Sequence, residues 1–175
     1  MSKFNLEKSI EILEQTPATV RSLLGNLSDD WTLTKSEENS WSPFDVIGHY
    51  IHAEEADWIP RAEIILAQGE NRAFEPFDRF AQFELSKGKT LAELLETFAE
   101  MRPKSLETLK SWNLTDDQLQ LKGIHPEFGE VTLEQLISTW VVHDLTHIRQ
   151  LSIILAKHYS ESVGPWTAYL SILKS

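Results

Sequence analysis

The chain has 175 residues, 41% of them hydrophobic and 25% charged, so one domain spanning residues 1–175 with a sizeable core is expected. Sixteen Lys and Arg stand against 27 Asp and Glu, a formal charge of −11 that repels phosphate backbones and argues against a nucleic-acid partner. Cysteine is absent, which excludes disulfides, zinc–cysteine and iron–sulfur clusters and a cysteine nucleophile; a metal could be held only by His, Asp or Glu.

The segment Met1-Ser2-Lys3-Phe4-Asn5-Leu6-Glu7 meets an acidic residue before any apolar run can form, unlike a secretory signal. No stretch approaches the roughly 18 apolar residues of a membrane span. The expectation is a cytoplasmic protein with no membrane partner.

Apolar residues at three-to-four spacing, Phe4, Leu6, Ile10, Leu13, Pro17, Val20 and Leu24, predict a first helix stopped by a glycine cap at Gly25, with Pro17 as a kink. Ser42-Pro43-Phe44-Asp45 supplies an N-cap serine, a proline in the first turn and a carboxylate three residues after the cap, and so starts a second helix. It should run toward Gln68, with Pro60 as a bend. Phe74, Phe77, Phe80 and Phe83 follow in a segment read as a loop and a short helix. Thr90 with Glu93 opens a third helix to about Trp112, and Thr132 with Gln135 opens a fourth to about His158. Residues 123–129 read as a turn, and a short helix follows Gly164-Pro165. No segment shows strand alternation, so the class is all-α: an antiparallel four-helix bundle with additional short helices.

The chemistry concentrates in His143-Asp144-Leu145-Thr146-His147. At 3.6 residues per turn the two imidazoles lie about 40° apart in azimuth and about 6 Å apart along the axis. They share a face with Leu136, Trp140, Leu151 and Ile154 and project into the core, where polar rings need partners. Such a pair can reach one metal ion at about 2.0–2.1 Å from each nitrogen. Asp144 replaces the glutamate of the HExxH pattern and is turned about 100° away, which disfavours zincin-type hydrolysis. A third ligand is expected from the second helix, where both His49 and His52 are candidates and Gly48 would let the fourth helix approach. His125 reads as turn-stabilising and His158 as a cation at a helix C-terminus. Glu54, Glu55 and Asp57 read as a solvated face.

Residues 36–60 hold six acids and residues 123–148 hold four, with no Lys or Arg in either. That concentration reads as a field favouring a cation at the histidines.

Three pieces together, Trp41-Ser42 followed by His49, the turn His125-Pro126-Glu127-Phe128-Gly129, and His143-Asp144-Leu145-Thr146-His147-Ile148-Arg149-Gln150, resemble the DinB/YfiT-like superfamily of metal-dependent bacterial four-helix-bundle proteins. The resemblance implies a divalent metal (zinc, nickel or iron) on His49, His143 and His147, with His52 placed behind the ligands. Characterised relatives that use a low-molecular-weight thiol imply a thiol S-transferase acting on a small-molecule electrophile, with the metal holding the thiol as thiolate. Two alternatives stand beside it: a non-catalytic metal- or ligand-binding stress-response protein, and a metal-dependent hydrolase. The resemblance also leaves a homodimer open.

Overall fold

The computed structural model describes residues 4–174. Helix α1 (Leu6–Leu24) starts at Asn5, whose side chain accepts from the Lys8 N–H. A one-turn helix α2 (Asp29–Thr32) precedes α3 (Pro43–Ala56), α4 (Trp58–Ala67), the short α5 (Ala81–Leu85), α6 (Leu91–Ser111) and α7 (Asp116–Leu119). Strands β1 (Lys122–His125) and β2 (Gly129–Thr132) lead into α8 (Leu133–Lys157), and two 3₁₀ turns follow at Gly164–Ala168 and Ser171–Lys174. The capping boxes read at Ser42, Thr90 and Thr132 are all formed, each with both reciprocal bonds.

Four departures from the sequence reading have local causes. Gly25 ends α1 in a right-handed conformation, with its N–H donating to Arg21, and not as a left-handed glycine cap. The second helix breaks at Asp57, where φ is −113° and ψ −76°. Pro60 falls in the first turn of α4, where a missing N–H costs nothing. Residues 122–132 form an antiparallel hairpin, His125 pairing with Gly129 across a three-residue loop; Gly129, at φ +71°, fits the left-handed position that closes such loops. Strands of four residues are too short to show alternation against a helical background.

Helices α1, α3, α6 and α8 form the expected four-helix bundle. Arg21 meets Glu96 and Glu14 meets Lys110, so α1 and α6 run antiparallel. Trp58 stacks on Trp140 while Tyr50 reaches Asp144, so α3 with α4 runs antiparallel to α8. Tyr50 against Phe98 and Glu54 against Arg102 make α3 and α6 parallel neighbours. That pairing requires the chain to travel back along the bundle between them, through the segment 68–90 that carries α5 and sets Ser86 beside Gly48, as in bundles with long crossover connections.

The apolar interior is split into two clusters, one around Trp58, Leu106, Leu109 and Trp140, the other around Tyr50, Phe98, Leu94 and Leu151. Between them lies a polar layer centred on Arg102, which is 1% exposed. Its Nε donates to Glu54 Oε1 (2.8 Å) and its Nη1 to Leu13 O (2.9 Å) and Asp144 Oδ2 (2.5 Å). Nη2 donates to Asp144 Oδ1 (3.1 Å) and stands 2.8 Å from Glu54 Oε1. Four guanidinium hydrogen bonds and a close ion-pair contact thus commit all three nitrogens. Leu13 O needs that bond, because Pro17, four residues on, has no N–H to give it. Thr16 Oγ1 donates to Asp144 Oδ2 (2.6 Å) and the Tyr50 hydroxyl to Asp144 O (2.8 Å), so α1, α3, α6 and α8 meet at one point.

Removing one member of a buried charge network leaves the others unpaired. Arg102→Ala should lower the unfolding free energy by about 3–5 kcal/mol in urea titrations. A loss below about 1 kcal/mol, the scale of an exposed pair, would contradict this account.

Candidate metal centre

Two of the three imidazoles have a neighbour in sequence that belongs to the polar layer. On α3, His49 faces outward from the polar layer while Tyr50 faces into it; on α8, His143 faces outward while Asp144 is locked to Arg102. The Tyr50–Asp144 hydrogen bond fixes these two helices against each other one residue from the imidazoles. His49 Nε2 lies 2.9 Å from His143 Nε2, and His147 Nε2 lies 3.1 Å from it. Among the described residues, this is the one group of three or more His, Asp or Glu gathered closely enough to hold a metal ion.

The donor set fits a cation. Two nitrogens bound to one ion at about 2.0–2.1 Å, at angles between square and tetrahedral, stand roughly 2.9–3.4 Å apart. Gln150 Oε1 lies 2.6 Å from His147 Nδ1, so Nδ1 carries the proton and Nε2 turns its lone pair to the common point. His143 Nε2 can donate a proton to only one of its two neighbours, so metal-free imidazoles cannot satisfy every contact. Burial foremost, with mutual repulsion, lowers His49 to a pKa of about 2; burial and His143 lower His147 to about 4. Both are neutral at pH 7, the form in which imidazole ligates.

The imidazoles open into a cavity of about 390 Å³ walled by Trp41, Trp58, Phe74, Phe77 and Phe128, with Asp57, Arg61, Arg79 and His125 among its polar residues. Trp41 packs 4.8 Å from His49 and stacks at 6.0 Å on His147; Trp58 meets the edge of His143 at 5.0 Å. The size lies within the range of small-molecule sites.

Of the two α3 candidates, the structure brings His49 to the pair. His52 is buried against Phe77, ring centres 4.6 Å apart, and its Nε2 has no hydrogen-bond partner. Gly48 makes room for α5 and not for α8: a Cβ there would stand 2.3 Å from Ser86 Oγ. His125 Nδ1 accepts from the N–H groups of Glu127 and Phe128 (3.1 and 3.3 Å), and the residue also lines the cavity. His158, exposed at the end of α8, packs against Trp31.

The solvated carboxylate face is corrected. Glu55 is exposed, but Glu54 is buried against Arg102 and Asp57 pairs with Arg61 at 2.8 Å. Burial raises Glu54 above the usual carboxylate range despite Arg102. Burial acts in the same direction on Asp144, but the His143 ring, Arg102 and Thr16 outweigh it and hold that carboxyl below the range. Five bases from outside the two segments pair with six of their ten acids: Lys157 with Glu37, Lys35 with Asp45, Arg102 with Glu54 and Asp144, Arg61 with Asp57, Lys122 with Glu130. The sequence reading missed Arg102, Gln150 and the cavity position of Asp57. Arg102 left a signal, a cation inside the stripe Leu95, Phe98, Leu106 and Leu109, all buried.

Comparison with known proteins agrees with this architecture. Residues 12–151 match the DinB superfamily. A Bacillus subtilis (strain 168) protein, YfiT, provisionally named a metal-dependent hydrolase, is 27% identical over 155 residues, 87% of this chain and 85% of the relative. The solved structure of YfiT from Bacillus subtilis, described as a four-helix bundle of unusual topology, superposes with a TM-score of 0.75 at 23% identity, covering 90% of this chain and 91% of that one. TT2238, a four-helix bundle protein, gives 0.57 at 20% identity over 85% and 98%.

The depressed imidazoles set a pH dependence. An unfolded chain protonates His49 and His147 near the ordinary histidine value of 6.5, whereas the folded protein resists until about 2 and about 4. Protons therefore favour unfolding below pH 6.5. The melting temperature of metal-free protein should hold above pH 6.5 and fall as pH drops from there toward 4. A flat profile between pH 7 and 5 would contradict the burial of neutral imidazoles.

Proposed function

We propose that this chain, which belongs to the DinB superfamily, holds a divalent metal ion on His49, His143 and His147 and transfers a low-molecular-weight thiol to a small electrophile. The carrying observation is the convergence of three imidazole Nε2 atoms at the floor of an aromatic cavity. Three neutral imidazole ligands would contribute no charge, so His49, His143 and His147 would hold a divalent ion without cancelling its positive charge. An ion of that kind supplies Lewis acidity and holds a coordinating thiol as thiolate near neutral pH.

The chain's own residues set what reaches that point. Gln150 keeps His147 in one tautomer, and the Tyr50–Asp144 bond keeps the two helices in register. Trp41, Trp58 and Phe77 exclude water and offer apolar walls to the organic part of a substrate. With no cysteine in the chain, the reacting sulfur arrives with the substrate.

The name of the YfiT relative favours a second reading, metal-dependent hydrolysis, in which water takes the thiol's place and a carboxylate or imidazole accepts its proton.

Tag-free protein should contain about one divalent ion per chain and accelerate conjugation of a thiol to an alkylating agent, and His147→Ala should lose both. Turnover unchanged by that substitution would contradict the proposal, and ester cleavage independent of thiol would favour hydrolysis. Gln150→Ala should weaken metal affinity by about 10–100-fold, the usual effect of removing a partner of a ligating histidine.

A further inference from the structure

We propose that Asp57 is a further catalytic residue: its carboxylate takes the proton from the nucleophile in the cavity, the S–H of the thiol in the reading above, on which the nucleophile's identity rests. The S–H bond breaks, its electron pair stays on sulfur and the proton goes to Asp57. When sulfur then bonds to the electrophilic carbon, the leaving group departs with its own electron pair. It receives the proton back from Asp57, or the proton passes to water where the leaving group is a stable anion.

The geometry singles Asp57 out. It is the residue at which α3 stops and α4 begins, standing at the N-cap of α4. An aspartate at that position ordinarily accepts from backbone N–H groups of the first turn, yet this one makes no capping bond. The residue instead lines the cavity of the three imidazoles, with a side chain only 13% exposed. Oδ1 is buried without a directed hydrogen bond, although Arg61 Nη1 lies 2.8 Å away. That oxygen is covered by Arg61, so the proton goes to the second oxygen, Oδ2, of a residue that lines the cavity.

The other candidate bases are engaged elsewhere or, like His52, lie outside the cavity lining. Glu54 and Asp144 are bound to Arg102 inside the polar layer. Asp57 is the sole carboxylate among the described residues lining the cavity. His125 also lines it, but its Nδ1 accepts from two turn N–H groups, so its Nε2 carries the ring proton and offers no lone pair. Arg61 holds Asp57 in place and is itself fixed, donating to Glu75 O at 3.3 Å and lying 5.2 Å from the centre of the Phe74 ring. Burial raises the Asp57 carboxyl above its ordinary value, against the opposing effects of Arg61 on α4, His143 on α8, His125 on β1 and His52 on α3. The shift is toward the range useful to a general base.

The test compares wild type with Asp57→Asn, both zinc-loaded, using iodoacetamide as electrophile and two thiols. Mercaptoethanol must lose a proton to react; thionitrobenzoate is already ionised at neutral pH and needs no base. The asparagine variant should lose about 10²-fold in rate with mercaptoethanol and change little with thionitrobenzoate. Equal loss with both, which a structural role would give, or no loss with either, overturns the proposal. Should the asparagine variant not fold, Asp57→Glu carries the test: its mercaptoethanol pH–rate profile should shift from wild type while its thionitrobenzoate profile does not, and coincident profiles overturn it.

If wild type conjugates neither thiol, the thiol reading has failed on its own account, and cobalt-loaded protein then decides for Asp57 without a substrate. Loss of a carboxylate facing the ion should move the pH midpoint of the visible absorption change down by roughly half a unit or more. An unmoved midpoint overturns the proposal.

Discussion

Arg102 has all three nitrogens of its guanidinium committed to α1, α3 and α8, and the positions of the imidazoles follow from that commitment. A buried charge of this kind is a poor source of stability, because desolvation opposes the Coulomb gain. Its effect here is on register. If α8 slid by one turn, Asp144 would be left charged and unpaired in a site that is 0% exposed. His143, its immediate neighbour, is therefore held at one height in the bundle, as His49 is by the hydroxyl of Tyr50.

The polar layer and the metal centre form one construction with two faces. Residues 49–50 and 143–144 alternate between the cavity and Arg102, so an inward ion pair positions an outward ligand set. The layer divides the apolar core in two. Its orphan carbonyl, Leu13 O, created by Pro17 in mid-helix, becomes an acceptor that the guanidinium uses. The proline read in the sequence as a kink is in structural terms part of the anchor. Phe98 and Trp140 flank the same guanidinium at 4.9 and 5.1 Å, supplying the apolar and cation–π environment a buried arginine favours.

Much of this was legible in the sequence because it is local. Ser42 with Asp45, Thr90 with Glu93 and Thr132 with Gln135 mark helix starts through bonds three residues apart, and the spacing of His143 and His147 fixes their shared face before any fold is known. What was illegible depends on contacts remote in sequence. Nothing near Glu54 announces that a residue 48 positions away would bury it, so it reads as surface. The break at Asp57 has no proline or glycine of its own, and the nearest proline, Pro60, points to the wrong residue. Parallel pairing of α3 with α6 is equally silent, because helical periodicity gives the face of a helix and not its neighbour. His49 and His52 could not be separated by spacing alone; α5 and Phe77 decide between them by occupying the side that His52 faces.

The central claim is that α8 supplies two imidazoles and α3 one, His49, to a single divalent ion. Calorimetric titration of zinc into tag-free, metal-stripped protein tests it most directly, run on wild type, His49→Ala and His52→Ala. The account predicts about one high-affinity site per chain in wild type and His52→Ala, and loss of that site in His49→Ala. Equal loss in the two variants, or no stoichiometric binding by wild type, would contradict it.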